Sequence, residues 1–296
     1  MRERSGGERA TWVALWGLYV FVFAALAGYA SFGVHPELLA RFPGAAGVYA
    51  ASFTFFARVQ ILLAGAALAL FLAVHARGRW LGAFALLYVV SLASELSGTT
   101  VGLPFGPYHY TGALGMKWLG HVPLLIPLSW FFMAVPSYAI ARILLPMGHR
   151  VWQRVMLASL LLASWDLALD PAMSYATAYW VWGTPGPYYG MPLLNLVGWY
   201  VTGLALMACL AWIRADRWIA PLPAGWLAWF YGANLLLPLG MILARGFWPA
   251  AALTVGVLAA VALLSRMATA SRAGRARGAT GDGAVAGPVR AAEGAA

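Results

Sequence analysis

The sequence predicts an all-α protein, a polytopic bundle of about eight transmembrane helices with both termini in the cytoplasm. The first observation is composition: 62% of the residues are hydrophobic and only 9% are charged, whereas soluble domains carry about 25% charged residues. The second is that apolar stretches of membrane-spanning length recur along the chain. The third is a strong asymmetry of basic residues between the two sides of the membrane that these stretches define.

Each transmembrane helix needs about 20 predominantly apolar residues. The eight candidate spans are Thr11–Ser31, Phe53–His75, Trp80–Ser97, Val122–Leu145, Val151–Asp170, Leu193–Ile213, Ala224–Ala244 and Phe247–Ser265. The first is longer than the apolar core of a signal peptide, about 7–15 residues, so we interpret it as a retained helix. Pro127 and Pro136 in the fourth span and Pro238 in the seventh predict kinks, whose freed carbonyl groups neighbouring helices would have to satisfy.

Basic residues set the predicted orientation. If the N-terminus is cytoplasmic and the helices alternate, 15 Arg and Lys residues fall on the cytoplasmic side and 4 on the outer side. Such an excess is typical of cytoplasmic loops. The formal net charge of +10 therefore indicates membrane topology rather than nucleic-acid binding, and the lipid bilayer is the predicted environment.

The chain is predicted to hold one folded domain. Residues 1–266 form the transmembrane domain, and residues 267–296, rich in Ala, Gly and Arg without an apolar period, form a disordered cytoplasmic tail. Cys209 is the single cysteine, which excludes an intramolecular disulfide.

Three carboxyl side chains lie in or at the ends of apolar spans: Glu95, Asp166 and Asp170. A charged group at the bilayer centre costs about 2.5–3.5 kcal/mol even on insertion scales, and such groups usually mark a functional site. Asp166 and Asp170 share one helix face, and the topology puts Glu95 near the same, outer side. Structural roles are the alternatives: an interfacial cap before Pro171 for Asp170, a helix–helix hydrogen bond for Asp166, and an interfacial position for Glu95.

Two long connections, Gly98–His121 and Pro171–Pro192, are expected on that outer side as well. Each contains Gly-Pro-Tyr and leads into Pro-Leu-Leu-x4-Trp, as Pro123–Trp130 and Pro192–Trp199. An internal duplication into two parallel units would explain the likeness, and so would chance in a chain rich in Gly, Pro and Trp.

Aromatic side chains are dense around the acids. The candidate substrate-binding residues are Tyr108, Tyr110, Trp130, Trp165, Tyr188, Asn195 and Trp199. They fit an interfacial aromatic belt or a cavity lined with ring faces, which can stabilise a carbocation. His109 and His121 are the candidate metal ligands, but no HxxH, HxxxH or ExxH spacing supports a site, and no metal is predicted.

Several familiar motifs are absent from the sequence. It contains no Walker loop, no GxSxG, no HExxH, and no GxGxxG followed by an acid at Rossmann spacing. Nucleotide binding and covalent nucleophilic catalysis therefore have no support.

Four stretches together resemble the membrane-bound carotenoid biosynthesis proteins of the CruF type, the carotenoid 1′,2′-hydratases. They are Glu95–Tyr110, Gly120–Trp130, Trp165–Pro171 and Gly190–Trp199. The resemblance implies a multi-pass protein of a bacterial or archaeal cell membrane that adds water to the terminal C1′=C2′ double bond of an acyclic carotenoid end. The implied substrates carry ends of the γ-carotene, lycopene or C50 bacterioruberin-precursor type, and the product is a tertiary alcohol.

This chemistry fits the acids already singled out. One carboxyl group would protonate C2′, and a carboxylate would activate the water that captures the tertiary cation at C1′. We expect Asp166 or Asp170 to donate the proton, and the other, or Glu95, to handle water. Hydration changes no net oxidation level, so no cofactor is expected. The expected partners are an apolar carotenoid, the lipid bilayer and other enzymes of the carotenoid pathway.

Three competing interpretations stay open at this point. A membrane carotenoid end-ring cyclase begins with the same protonation but quenches the cation by ring closure. A transporter would agree with a duplicated architecture and intramembrane acids. A non-catalytic carotenoid-binding protein would need the apolar cavity alone.

Overall fold

The computed structural model describes residues 5–145 and 150–281, with side chains up to residue 267. Within these residues, eight helices are long and apolar enough to cross a membrane. The predicted class, a polytopic transmembrane helix bundle, is confirmed, and the protein is a multi-pass integral membrane protein. The orientation of its termini stays a prediction.

The helices and strands follow one another in simple order. They are α1 (Gly6–Gly28), α2 (Glu37–Ala40), α3 (Ala45–Ala76), α4 (Leu81–Val101), β1 (Tyr108–Tyr110), β2 (Lys117–Trp118), β3 (Val122–Pro123), α5 (Leu125–Leu144), α6 (Val151–Asp170), β4 (Trp180–Trp182), α7 (Leu193–Trp212), α8 (Asp216–Ile219), α9 (Ala224–Ala244) and α10 (Trp248–Gly281). Helices α1 and α6 continue without a break as π-helical turns, Tyr29–Gly33 and Pro171–Tyr175.

All eight predicted spans correspond to observed helices. The predicted span Ala224–Ala244 has the same bounds as α9. The largest difference at the start of a span is in α3, which begins at Ala45 rather than Phe53, because the alanines between them are strong helix formers. Helix α5 begins at Leu125, since Val122 and Pro123 form β3 instead.

The last helix runs past the predicted end of the transmembrane domain. Helix α10 continues to Gly281, whereas the predicted tail begins at residue 267. Residues 282–296, the rest of that tail, lie outside the described residues. The domain boundary and the disordered tail therefore stay predictions.

Helices α5 and α6 form the centre of the bundle. Most of each is buried, whereas only 28% of the residues are buried in the spans that contain α1, α4 and α10. Helix α6 packs against α5, α7, α9 and α10. Side chains at the buried end of α6, including both aspartates, therefore lie inside the protein rather than against lipid.

Two prolines free backbone carbonyl groups, and aromatic side chains from other elements satisfy them. Pro238 has no N–H to donate to the carbonyl oxygen four residues earlier, and Trp165 Nε1 donates to that oxygen at 3.1 Å. Pro171 likewise leaves the Leu167 carbonyl oxygen without its helical partner, and Tyr188 Oη donates to it at 2.7 Å. The expectation that neighbouring helices satisfy such carbonyls is confirmed at Pro238, because Trp165 belongs to α6. Pro171 is a further case, which that expectation did not include.

The two long connections meet at one end of the bundle, which we call the loop end (residues 102–124 and 176–192). Strand β1 pairs antiparallel with β4, so that Tyr108 lies opposite Trp182 and Tyr110 opposite Trp180. Strands β2 and β3 form a second small hairpin beside them. The prediction that both connections lie on one side is confirmed, although the sequence did not predict the strands.

Candidate active site

Glu95 lies near the loop end of α4 and is only 4% exposed. Its Oε2 atom accepts hydrogen bonds from Tyr108 Oη and, at 2.8 Å, from Tyr110 Oη. Its Oε1 atom accepts a hydrogen bond from Trp130 Nε1 at 2.7 Å. Three donors on two oxygens are an arrangement that favours a buried ionised carboxylate, because hydrogen bonds to the charged form stabilise it.

Strand β1 explains why two tyrosines reach the same carboxylate. Alternate residues of a strand point to opposite faces, so Tyr108 and Tyr110 are buried while His109 between them is exposed. Gly98 of α4 lets the connection fold back onto the helix, since a Cβ there would lie 2.7 Å from the Phe105 ring and 2.9 Å from the Tyr108 ring. Burial, and next the Glu95 carboxylate, raise the pKa of both tyrosines well above its usual value, so both phenols remain O–H donors.

Asp170, the last residue of α6, is completely buried. Its Oδ1 atom accepts a hydrogen bond from Trp180 Nε1 at 2.7 Å. Its Oδ2 atom accepts weaker ones from Ser174 Oγ at 3.2 Å and Trp182 Nε1 at 3.4 Å. Both indoles come from alternate positions of β4, so the strand that pairs with the Glu95 tyrosines also holds Asp170.

Asp166 lies one helical turn earlier and is also completely buried. Its Oδ2 atom accepts a hydrogen bond from Asn195 Nδ2 of α7 at 2.7 Å. Its Oδ1 atom has no hydrogen-bond partner among the described residues. An unsatisfied buried polar atom costs about 1–3 kcal/mol, and more when it is charged, so Asp166 is the acid whose surroundings least favour a negative charge.

A small cavity of about 40 Å³, which we call the acid cavity, lies between these groups. Its walls are formed by Glu95, Phe105, Tyr108, Tyr110, Ile126, Ser129, Trp130, Leu169, Asp170, Trp180, Trp182, Asn195 and Trp199. One water molecule needs about 10–15 Å³ of such space, so the cavity has room for a few waters. Glu95 and Asp170 face it, whereas Asp166 lies behind Asn195.

Two tryptophans from the similar Pro-Leu-Leu-x4-Trp segments stack on each other in the wall of the acid cavity. The ring centroids of Trp130 and Trp199 are 4.1 Å apart, and the rings are inclined by 26°. Trp165 lies edge-on to Trp199, at 5.9 Å and 75°. The faces of indole rings attract cations, so this wall can stabilise positive charge that develops in the cavity.

The structure brings together most of the residues that the sequence singled out. Glu95, Asp166 and Asp170 meet at the loop end, with five of the seven candidate substrate-binding residues in the cavity wall: Tyr108, Tyr110, Trp130, Asn195 and Trp199. The remaining two, Trp165 and Tyr188, lie outside the wall, and their polar atoms bond the backbone carbonyls freed by the prolines.

Sequence reasoning did not select Phe105, Trp180, Trp182 or Ser174. The two tryptophans had a usable signal, because their spacing by two residues places both on one face of a strand. The candidate metal ligands His109 and His121 are both exposed and are not in the wall of the acid cavity. Among the residues that the structure describes, no group of three His, Cys, Asp or Glu side chains is placed to hold a metal ion.

Comparison with known proteins places the chain in a family. Residues 56–261 match the family described as carotenoid biosynthesis protein, a stretch that contains every residue of the acid cavity. The chain belongs to this carotenoid biosynthesis family. The resemblance predicted from the sequence is thereby confirmed.

The chain is similar to a curated relative, bisanhydrobacterioruberin hydratase from Haloarcula japonica. It is 33% identical over 122 residues, and the match covers 40% of this chain and 40% of the relative's own length. No solved structure matches the chain.

Proposed function

We propose that this protein is a carotenoid hydratase, which adds water to the terminal C1′=C2′ double bond of an acyclic carotenoid end. Membership of a carotenoid biosynthesis family and similarity to a hydratase support this reaction. The observation that carries the proposal is that two buried carboxyl groups, Glu95 and Asp170, face one small cavity walled by aromatic rings. Such a place can deliver a proton to an alkene and admit a few water molecules.

Asp170 is the proposed proton donor. Two buried carboxyl groups one helical turn apart do not ionise easily together, so one member of the Asp166 and Asp170 pair stays protonated when the other has given up its proton. Asp170 is the member that faces the cavity. It gives the proton to C2′, the π bond breaks, and a tertiary cation forms at C1′.

Glu95 is the proposed base. Its carboxylate and the ring faces of Trp130 and Trp199 stabilise the cation at C1′. A water molecule in the cavity then forms the new C–O bond at C1′, and Glu95 accepts the proton that this water loses. Return of that proton to the aspartate pair completes the cycle, and the net change is alkene plus water to tertiary alcohol.

Asp166 has a different role in this mechanism because it does not face the cavity. Its unpaired Oδ1 atom makes it the carboxyl group that stays protonated throughout, while Asp170 gives up its proton and later regains one. We therefore regard Asp166, which lies behind Asn195 of the cavity wall, as a residue that sets the protonation of Asp170.

The size of the acid cavity adds one requirement. A volume of about 40 Å³ accepts water but not the branched end of an isoprenoid chain. The alkene therefore reaches the acids only when side chains of the cavity wall move, which agrees with a site built from two connections rather than from helices alone.

The test is expression in cells that accumulate lycopene, followed by mass analysis of the pigments. The proposal predicts a new pigment that carries one added water and a tertiary hydroxyl group. A pigment of unchanged mass with a ring at its end would instead make the protein a cyclase. Unchanged lycopene, γ-carotene and bisanhydrobacterioruberin, each supplied in the presence of folded protein, would contradict the proposal.

A further inference from the structure

A second, much larger cavity lies on the other side of the π-helical turn that follows Asp170. Its volume is about 290 Å³, and it lies between α1, α3 and α9; we call it the chain cavity. Its walls are formed by Ala25, Gly28, Tyr29, Phe32, Leu39, Ala45, Val48, Tyr49, Ser52, Phe53, Phe56, Ala57, Met173, Tyr179, Leu237 and Met241. None of these lining side chains carries a charge, so the chain cavity suits an uncharged apolar ligand.

Aromatic rings dominate one wall of this cavity. Tyr49 lies edge-on to Phe53 at 4.9 Å and to Phe32 at 5.8 Å, and Tyr29 lies edge-on to Phe53 at 6.3 Å. Ring faces and edges pack favourably against a flat conjugated system. A saturated acyl chain would gain only the area burial, so this wall favours a polyene over a lipid tail.

The polar atoms near the cavity are mostly occupied by the protein itself. Tyr179 Oη donates to the Phe53 carbonyl oxygen at 2.9 Å, and Ser52 Oγ donates to the Tyr49 carbonyl oxygen at 2.6 Å. Tyr29 Oη accepts a hydrogen bond from Arg245 Nε at 3.1 Å. Tyr49 Oη is the exception, since it lines the cavity and has no hydrogen-bond partner among the described residues. One neutral phenol leaves the cavity suited to an apolar chain rather than to a charged head group.

The chain cavity and the acid cavity share a wall element. The π-helical turn Pro171–Tyr175 begins next to Asp170 and carries Met173 into the chain cavity. Tyr179 lines the chain cavity, and its neighbour Trp180 donates to Asp170. A long molecule can therefore lie in the chain cavity while its end approaches the acids on the other side of this turn.

The chain cavity also reaches the surface of the bundle. Val48, near the start of α3, lines the cavity and is 73% exposed. Because α3 spans the membrane, an apolar ligand dissolved in the bilayer can enter there without crossing water.

We infer that the chain cavity holds a stretch of the conjugated chain of the carotenoid substrate while its terminal double bond is hydrated at the acid cavity. This inference rests on the proposed function. A volume of about 290 Å³ is at the lower end of small-molecule sites, about 300–1,000 Å³, so it holds part of the chain and leaves the rest in lipid.

A graded filling series tests the inference. A Cβ at Gly28 meets nothing within 4 Å, and Gly28 lines the cavity, so Gly28→Ala, Gly28→Leu and Gly28→Phe fill it stepwise. Gly256 of α10 is exposed and its Cβ also meets nothing within 4 Å, which makes Gly256→Phe the matched control. Ala57→Leu fills the same cavity from α3.

Each variant is purified from lycopene-accumulating cells. The pigment retained per protein is measured by visible absorption, and pigments and co-purified lipids are identified by mass analysis. We expect retained lycopene to fall stepwise along the Gly28 series, by about tenfold or more at Phe, and in Ala57→Leu, with no change in Gly256→Phe. Equal retention in Gly28→Leu, Ala57→Leu and wild type, at equal gel-filtration elution, would overturn the inference. So would loss of phospholipid in place of lycopene.

The same experiment separates the inference from the proposed function. Asp170→Asn is expected to retain lycopene like the wild type while it produces no hydrated pigment. If the wild type retains lycopene in a Gly28-dependent way but never hydrates an acyclic carotenoid, the chain cavity stands and the hydratase proposal fails. If hydration proceeds unchanged in the folded Gly28 series, the hydratase proposal stands and the chain cavity fails.

Discussion

At the end of the bundle opposite the loops, Asp216 lies between two arginines: Oδ1 is 2.8 Å from Arg142 Nε and Oδ2 is 3.7 Å from Arg154 Nη1. At the loop end, Glu95 and Asp170 are more deeply buried and accept hydrogen bonds from neutral phenol, indole and hydroxyl groups. The same chemical group therefore has a charged partner at one end of the protein and neutral partners at the other.

In the proposed mechanism, this difference separates a structural carboxylate from the two that exchange protons. Asp216 lies beside two cations, Arg142 and Arg154, and these ion pairs join α8 to α5 and α6. Neutral donors orient the loop-end carboxyl groups without cancelling their charge. These groups can therefore exchange a proton with a substrate, and the predictions below test that contrast from the largest effect on hydration to the smallest.

Replacing the two acids that face the acid cavity is expected to have the largest effect. Glu95→Gln and Asp170→Asn keep the shape of the side chain but remove the base or the proton donor. Each variant should lower the initial rate of hydration by about 10²–10⁴-fold, measured in membranes that contain equal amounts of protein. If both variants hydrated the substrate at the wild-type rate, the contrast between the loop-end carboxyl groups and Asp216 would be wrong.

Asn195→Leu is expected to have the next largest effect. It removes the amide donor from Asp166, so the protonation of the aspartate pair changes, and the rate should fall by about 10–100-fold. The measurement is a pH–rate profile, which should move relative to the wild type. The control is Asn234→Leu, since Asn234 is another buried asparagine, which accepts a hydrogen bond from Gln60 at 3.0 Å; it should lower thermal stability without moving the profile.

Tyr110→Phe should have a smaller effect on the rate. It removes one of the three donors to Glu95 and leaves those from Tyr108 and Trp130 in place. A loss of about tenfold is expected, the lower limit for one hydrogen bond to a charged group, because two donors remain. If the rate fell as far as in Glu95→Gln, the tyrosine itself would be a catalytic group, and the role given to the carboxylate would be wrong.

Asp216→Asn should have the smallest effect on hydration, within about twofold of the wild type. Arg142 and Arg154 are only 22% and 15% exposed, whereas Asp216 is 37% exposed. Loss of this partly screened pair should lower the free energy of unfolding by about 1–2 kcal/mol. We expect a lower melting temperature in detergent together with a normal hydration rate per folded protein. A loss of rate like that of Asp170→Asn would contradict the contrast between the two ends.

The transmembrane helices were predictable because a span leaves a long apolar signal that needs no knowledge of its neighbours. Even α3, whose start was placed too late, was found by this signal. The sequence also predicted that the connections Gly98–His121 and Pro171–Pro192 lie on the same side, because an even number of membrane spans separates them. The pairing of β1 with β4 could not be predicted, because strands of three residues leave too short a pattern and the two strands lie far apart in the chain.

The acids could be chosen from the sequence but not ranked. Pro171 predicted the end of α6 at Asp170, since the residue before a proline disfavours the helical conformation. In the structure the chain continues as a π-helical turn, and Tyr188 bonds the carbonyl that the proline frees. Which carboxyl group faces the cavity depends on that turn and on Trp180 from β4, contacts that no local pattern encodes.

Isotope labelling tests most directly the claim that a buried carboxyl group protonates an alkene and that water captures the cation. Membranes containing the wild-type protein and lycopene are incubated in water labelled with oxygen-18 and, separately, in deuterium oxide. The account predicts a hydroxyl group that carries the heavy oxygen and one non-exchangeable deuterium on the adjacent carbon, and neither label incorporated in Asp170→Asn. A hydroxyl oxygen drawn from molecular oxygen, or a product without carbon-bound deuterium, would contradict it.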